Sequence, residues 1–224
     1  MPQLHLLRVF TNDDGEWGNP LGVFLEGTEV PADRRQDVAA ELGFSETVFV
    51  EDPSSGRIQI NTPSIELGFA GHPTVGTAWL LEREGIATPV LRPPAGEVEV
   101  RNEEGLVFVA ARPEWGPISD FVELETPAEV RELSGSPNGR ADAFAWAWID
   151  EAAGTMRARS FVPEAGIAED EATGAAALTL CARLGREITI HQGRGSVLHA
   201  RPLADGRAEV GGLVRLDDVR EHTL

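Results

Sequence analysis

The sequence predicts an α/β chain, with helices and strands mixed in the α+β manner, built from two similar halves. Three observations carry that prediction. Short β-branched runs alternate with helical segments along the whole length. Two apolar helices with small-residue starts, "AGHPTVGTAWLL" and "EATGAAALTLCARL", occupy matching places in the two halves. Between them "PEWGP", Pro113 to Pro117, interrupts all periodicity. The expected division is 1–113 and 114–224.

The elements follow in order. "HLLRVFT" (His5–Thr11) reads as a strand, and "NDDGEWGNP" as a loop dense in turn residues. "LGVFLEG" returns as a second strand. "PADRRQDVAAEL" reads as a helix, with Pro31 early and Val38, Ala39 and Leu42 on one face. "TVFVED" and "RIQINTP" are short strands, and a second helix is expected over His72–Glu84. "PVLRP", "EVEVRN" and "LVFVAARP" close the first half as strands. The second half opens on a short helix at "PAEVRELSG". "AFAWAWID" and "TMRARSFVP" form a hairpin across "EAAG". The second small-residue helix, Thr173–Leu184, follows, and "EITIHQG", "SVLHARP" and "RAEVGGLVRL" are the final strands.

Composition removes whole classes of chemistry. The 224 residues carry a formal net charge of -18, against a general nucleic-acid or anionic-membrane binder, which needs a basic face. Every basic residue other than histidine is arginine. Without lysine there is no Schiff base for pyridoxal chemistry and no Walker P-loop. One cysteine, Cys181, excludes an internal disulfide and two-thiol acid/base catalysis, and its mid-helix apolar setting is that of a core residue. His191 and His199 with His72 lack metal-ligand spacing, "GRGSVL" lacks a dinucleotide fingerprint, and no G-x-S-x-G elbow is present. No metal and no organic cofactor are expected. The N-terminus lacks a basic region followed by an apolar one, and no apolar run is long enough to span a bilayer. The expectation is a cytoplasmic protein, and the lysine-free, arginine- and alanine-rich usage is that of a GC-rich bacterial genome.

The helix starts are where chemistry concentrates. The first N–H groups of a helix have no intrahelical partner and carry partial positive charge. Gly71 lets the backbone approach a ligand, and Thr173 and Gly174 do the same in the second half. Two such starts face to face would grip a carboxylate from both sides. Close packing of a buried helix on its sheet would also select small residues, so either stretch alone decides nothing. His72, at a helix N-terminus, is expected neutral; it either relays a proton or caps its own helix. Of "EDE", Glu169–Glu171, one acid is explained by capping and the dipole, and Asp170 is the candidate for catalysis or histidine positioning. Glu46, at a loop entering a strand, is either an exposed edge acid or a general acid/base with a raised pKa.

Together these pieces resemble the PhzF-like family, the phenazine-biosynthesis isomerases and their relatives. The resemblance rests on "FTNDDGEWGNPLGVFLEG", "AAELGFSETVFV", "NTPSIELGFAGHPTVGTAWLL", "EDEATGAAA" and "IHQGRGS". It implies a diaminopimelate epimerase-like fold, in which each half is a mixed sheet curled around a central helix and the site lies between the halves. It implies cofactor-independent proton transfer on a carboxylate-bearing ring or amino acid-like substrate, and a homodimer. Carried onto this sequence, the catalytic residues are Glu46, His72 and Asp170. The substrate-binding residues are Asn19, Gly71, Thr173, Gly174, Ala175, Gln192 and Gly193. The sequence departs from the family pattern at Ala175, where serine is usual, at Glu171, where proline is usual, and in its shorter second half. The competing expectations are an inactive small-acid-binding or regulatory protein on the same fold, and an interaction protein using its acidic surface.

Overall fold

The computed structural model describes residues 1–116, 120–139, 141–163 and 167–224. Within these, the first half runs β1 (Gln3–Thr11), β2 (Asn19–Phe24), α1 (Arg35–Leu42), β3 (Thr47–Asp52), β4 (Arg57–Asn61), β5 (Glu66–Leu67), α2 (Gly71–Arg83), β6 (Val90–Leu91), β7 (Val98–Glu103) and β8 (Leu106–Ala111). The second runs β9 (Asp120–Glu123), α3 (Pro127–Glu132), β10 (Ala143–Asp150), β11 (Thr155–Val162), β12 (Ile167–Asp170), α4 (Gly174–Leu184), β13 (Ile188–Gln192), β14 (Ser196–Pro202) and β15 (Ala208–Glu221).

The internal likeness of the halves is visible in their pairing. β2 pairs parallel with β3 across α1, and β9 pairs parallel with β10 across α3. The antiparallel series β3-β4-β5 is matched by β10-β11-β12. After each of these comes a buried crossover helix. After α4 the chain returns parallel to β11 as β13; after α2 it returns to β4 through a single parallel bridge, Arg57 to Arg92. Parallel neighbours need such a crossover, because a two-residue turn cannot reverse the strand direction twice.

β15 fuses the halves. Its first residues pair with β8 and β14, and from Leu213 onward it pairs with β1. The strands are continuous through this shared member, in the order β5-β4-β3-β2-β1-β15-β14-β13-β11-β10-β9. One apolar core accordingly contains Val75, Leu80 and Leu81 of α2 together with Ala176, Leu178, Leu180 and Cys181 of α4. A smaller cluster lies under α1, where Phe24 stacks on Phe49 at 5.2 Å between Leu4, Val30 and Val38.

α2 packs closely on the sheet. A Cβ on Gly76 would lie 2.5 Å from Leu21 Cδ2 and 2.7 Å from Val9 Cγ2, so the helix lies directly on β1 and β2. Alanine is intrinsically the better helix former by about 1 kcal/mol. Overpacking costs about 1–3 kcal/mol and wins here. Gly76→Ala is therefore expected to lower the urea midpoint at unchanged slope, and Gly76→Val to lower it further. A midpoint that rose would mean the helix has room at this point.

Some boundaries differ from the sequence expectation. The first helix begins at Arg35, because Pro31 to Arg34 form a turn closed by the Arg34 N–H on the Pro31 carbonyl at 2.8 Å. The short strands β5, β9 and β12 were not expected. Each is four residues or fewer, too short for a period to register. β15 extends to Glu221, five residues beyond the expected end at Leu216. There its alternation gives way to a polar run, and pairing with β1 carries it on. Pro117, at the end of the expected break, lies outside the described residues.

Candidate active site

α2 and α4 meet end to end at their N-termini. A Cβ on Gly71 would fall 2.8 Å from the Cα and carbonyl carbon of Gly174, and 2.9 Å from the Ala175 nitrogen. From the other side, a Cβ on Gly174 would fall 3.1 Å from Gly71 Cα and from the His72 nitrogen. Only glycine at both positions permits this approach. Neither N-cap residue, Ala70 or Thr173, makes a side-chain cap. The first intrahelical bonds are Thr74 N–H to Ala70 and Ala177 N–H to Thr173. The N–H groups of Gly71, His72, Gly174 and Ala175 thus precede the hydrogen-bonded ladder of either helix. Pro73 removes a donor only where an acceptor is already lacking. Two positive helix ends in contact repel each other, and an anion between them is the natural relief.

His72 is buried, but it does not cap its own helix. Its ring bonds to the Pro20 backbone, which has only a carbonyl to offer, so the ring is the donor. Nε2 lies 3.5 Å from Glu46 Oε2. Among the described residues, both atoms are sealed from water and without a hydrogen-bond partner. The proton is therefore assigned to Nδ1, leaving the Nε2 lone pair facing the carboxyl group. Burial pushes the His72 pKa down to about 4, more than the attraction of Asp170 and the Pro20 bond raise it. The ring is neutral at pH 7.

Glu46 stands just after α1, which Gly43 ends with a left-handed φ of 66°, and just before β3. Only 16% of its side chain is exposed, which overturns the edge-acid alternative. Burial raises its pKa to about 7, with Ser45 pulling weakly the other way. A carboxyl group titrating there can both give and take a proton at neutral pH.

Asp170 ends β12 and is held on both oxygens. Oδ1 accepts from Asn19 Nδ2 at 2.7 Å, and Oδ2 accepts from the Thr173 hydroxyl at 2.5 Å. Its pKa is nonetheless raised to about 6, first by burial and then by Glu46, against the pull of His72, Thr173 and Asn19. Asn19 gives its other bond to the Ala172 carbonyl at 3.0 Å. Gln192 closes the frame. Its amide donates to the Asp170 carbonyl and the Thr173 hydroxyl, and its oxygen accepts from the Thr173 N–H at 3.0 Å.

The structure brings Glu46, His72, Asp170, Gly71, Gly174, Ala175, Asn19, Thr173 and Gln192 into one neighbourhood. Asn19, Thr173 and Gln192 direct their polar groups at the Asp170 frame. At Gly193 the space a side chain would need is filled by Glu171, whose carboxylate and backbone oxygen would both lie 2.6 Å from a Cβ. The capping expectation for the other acids fails. Glu169 pairs with Arg159 at 2.6 Å, and Glu171 bonds to Arg194 and Ser196. Glu169 leaves β12 on the face opposite Asp170, as strand alternation requires, and Glu171 lies just past the end of the strand. Ser196 and the Pro20 carbonyl escaped sequence reasoning, because only the tertiary fold brings β14 and β2 to these partners. Cys181 is buried, donates to the Arg186 carbonyl at 3.3 Å and is pushed up to about 12, as an inert core thiol should be. Among the described residues, no group of three or more His, Cys, Asp and Glu could hold a metal ion, and no helix is long and apolar enough to cross a membrane.

Two like halves joined through a shared strand, with two helix N-termini meeting beside buried acids, give a protein of the diaminopimelate epimerase-like fold. The sequence profile of the phenazine biosynthesis-like protein family, PhzC-PhzF, matches residues 7–138. A trans-2,3-dihydro-3-hydroxyanthranilate isomerase of Pseudomonas chlororaphis is 33% identical over 86% of this chain and 87% of its own. The enzyme of the same name from Pseudomonas aeruginosa is 31% identical over the same shares. The crystal structure of a PhzF-family phenazine biosynthesis protein of Bacillus anthracis superposes with a TM-score of 0.80 at 19% identity, over 100% of this chain and 99% of that one. The chain belongs to the phenazine biosynthesis-like family, an enzyme family with several matched relatives that are named isomerases.

Proposed function

We propose that the protein is a cofactor-independent isomerase that moves a proton by carboxyl general acid/base catalysis on a small carboxylate-bearing, cyclic or amino acid-like substrate. The observation that carries this reading is the contact of Gly71 with Gly174, which aims two sets of helix-start N–H groups at one point beside two acids of raised pKa. The substrate carboxylate takes the N–H groups of Gly71, His72, Gly174 and Ala175. Each helix end contributes about 0.3–1 kcal/mol to such an anion, and more when partly buried. Glu46 is the group that gives and takes the proton. Neutral His72, whose Nε2 lies 3.5 Å from Glu46, and Asp170 position the reacting groups or relay the proton. Ala175 leaves the backbone donor of the usual serine in place and removes its hydroxyl. The same reading takes 1–113 and 114–224 as the two halves, with the protein a bacterial, cytoplasmic homodimer that binds neither nucleic acid nor membrane.

The two carboxyl groups titrate as a coupled pair. Burial raises both pKa values, so near neutral pH the pair shares a proton. Solvent-deuterium incorporation is the direct test. The protein is incubated in deuterated buffer with trans-2,3-dihydro-3-hydroxyanthranilate and a panel of cyclic and α-amino acids, and each is read by mass. Deuterium should enter carbon in at least one substrate, with a rate that peaks between pH 6 and 7 and declines on either side. Compounds that raise the melting temperature yet never exchange would instead identify an inactive binder.

A further inference from the structure

Beside the site, residues not used by the chemistry join Asp170 and Asn19 in a closed circuit of bonds. The Gly18 N–H donates to the Ser196 hydroxyl at 3.1 Å. That hydroxyl donates onward to Glu171 Oε1 at 3.0 Å. Glu171 is bonded covalently to Asp170, Asp170 Oδ1 accepts from Asn19, and Asn19 follows Gly18 in the chain. The direction of each bond is set. Ser196 is fully buried and has one proton, which goes to Glu171, so its lone pair is left for Gly18.

Other contacts pin the same ring. Glu171 Oε1 also accepts the Arg194 N–H at 2.9 Å, and Oε2 lies 3.4 Å from Arg194 Nε. The Arg194 guanidinium lies over the Trp17 ring at 4.9 Å. A Cβ on Gly195 would meet Trp17 at 2.3 Å, and one on Gly193 would meet the Glu171 carboxylate. Trp17 and Gly193 both hold positive φ, at 62° and 57°. For tryptophan that conformation is costly, and the surrounding contacts must hold it. The turn at 193–196 is thus moulded around Glu171 on one side and Trp17 on the other.

We propose that Glu171 is a positioning residue for Asp170: it anchors the 193–196 turn so that Ser196 holds Gly18, and Gly18 in turn aims the Asn19 amide at Asp170 Oδ1. The assignment of a catalytic role to Asp170 rests on the proposed function; the positioning itself does not.

The test reads Asp170 directly. Its side-chain carboxyl is followed by ¹³C NMR against pH in the intact protein, with the resonance assigned by Asp170→Asn. The charged groups facing Asp170 are Glu46, from the entrance to β3, and His72, from α2, and the substitutions leave both in place. Asn19 donates to the charged form, so losing that donor raises the midpoint. Glu171→Ala should raise the Asp170 midpoint in the same direction as Asn19→Ala, and the double variant should add little to either. Glu171→Gln keeps an oxygen able to accept from both Ser196 and Arg194, and should restore the midpoint to near wild type. A Glu171→Ala midpoint equal to wild type, with Asn19→Ala shifted, overturns the proposal. So does Glu171→Gln raising it as far as Glu171→Ala does in a protein that still melts cooperatively, because the bonds to Ser196 and Arg194 would then not be what positions Asn19. Because no turnover is read, the result stands apart from the deuterium experiment. Exchange may fail while the Asp170 circuit holds, or the reverse.

Discussion

Replacing Glu46 by glutamine is expected to reduce deuterium exchange by at least about a thousand-fold while leaving carboxylate binding within a few-fold of wild type. Acid/base groups of this kind contribute about 10²–10⁴ in rate, and the Glu46 site has no evident substitute. Asp170 is tied to Asn19 and Thr173, and His72, with a pKa near 4, is a poor proton carrier at pH 7. Glutamine fills the same space and meets the same Nε2 lone pair. The same substitution should stabilise the fold at high pH. Burial raises the Glu46 pKa from 4.5 to about 7, so folding favours its protonated form. That contribution is fully present below pH 4.5 and lost as pH rises through 7. The difference is worth up to about 3 kcal/mol. His72 slopes the other way, with stability lost as pH falls from 6.5 towards 4, so the comparison belongs between pH 6.5 and 8. Over that window the wild type should lose stability faster than Glu46→Gln in urea titrations. Full exchange activity in the glutamine variant would sink the assigned role, and equal slopes would show that Glu46 is hydrated.

The second large effect is expected at the meeting of the helices. Gly71→Ala should cost about 2–3 kcal/mol of stability and weaken carboxylate binding by more than about tenfold. The added methyl falls on Gly174 and Ala175 backbone, which has no rotamer to yield. Gly174→Ala, with its nearest contacts at 3.1 Å, should be milder in both measures. Helix propensity predicts the opposite sign for each, since alanine is favoured over glycine by about 1 kcal/mol. The measurements are urea unfolding and the rise in melting temperature given by carboxylates. If Gly71→Ala bound and unfolded like wild type, the two helix ends would not be in contact, and the shared anion grip would fall with them.

The value of these glycines was only half visible in the sequence. "AGHPT" and "EATGA" stood out because each opens an apolar helix with small residues, and helix starts have a known electrostatic character. Which partner each start faces is a fact about sequence-distant segments. Glu46 shows the same limit more sharply. A carboxylate between a helix-ending glycine and a strand reads as a surface acid from local pattern alone, and the family resemblance brought it into view. Its burial beside His72 of α2 is a product of the tertiary fold. Glu171 was in plain sight as one of three successive acids, and capping was a reasonable local explanation for it. The tertiary fold redirected it, because β14 and the turn before it bring Ser196 and Arg194 to its carboxylate.

The sequence by itself determined the repeated order of elements, the two buried helices and the absence of lysine and thiol-pair chemistry. Those properties live in periodicity and composition, which are local or additive. The tertiary structure alone decided that Gly71 touches Gly174, that His72 Nε2 faces Glu46, and that Asn19 reaches Asp170 across the chain. Each depends on contacts between residues far apart in sequence. The raised pKa values of Glu46 and Asp170 follow from the desolvation those contacts impose.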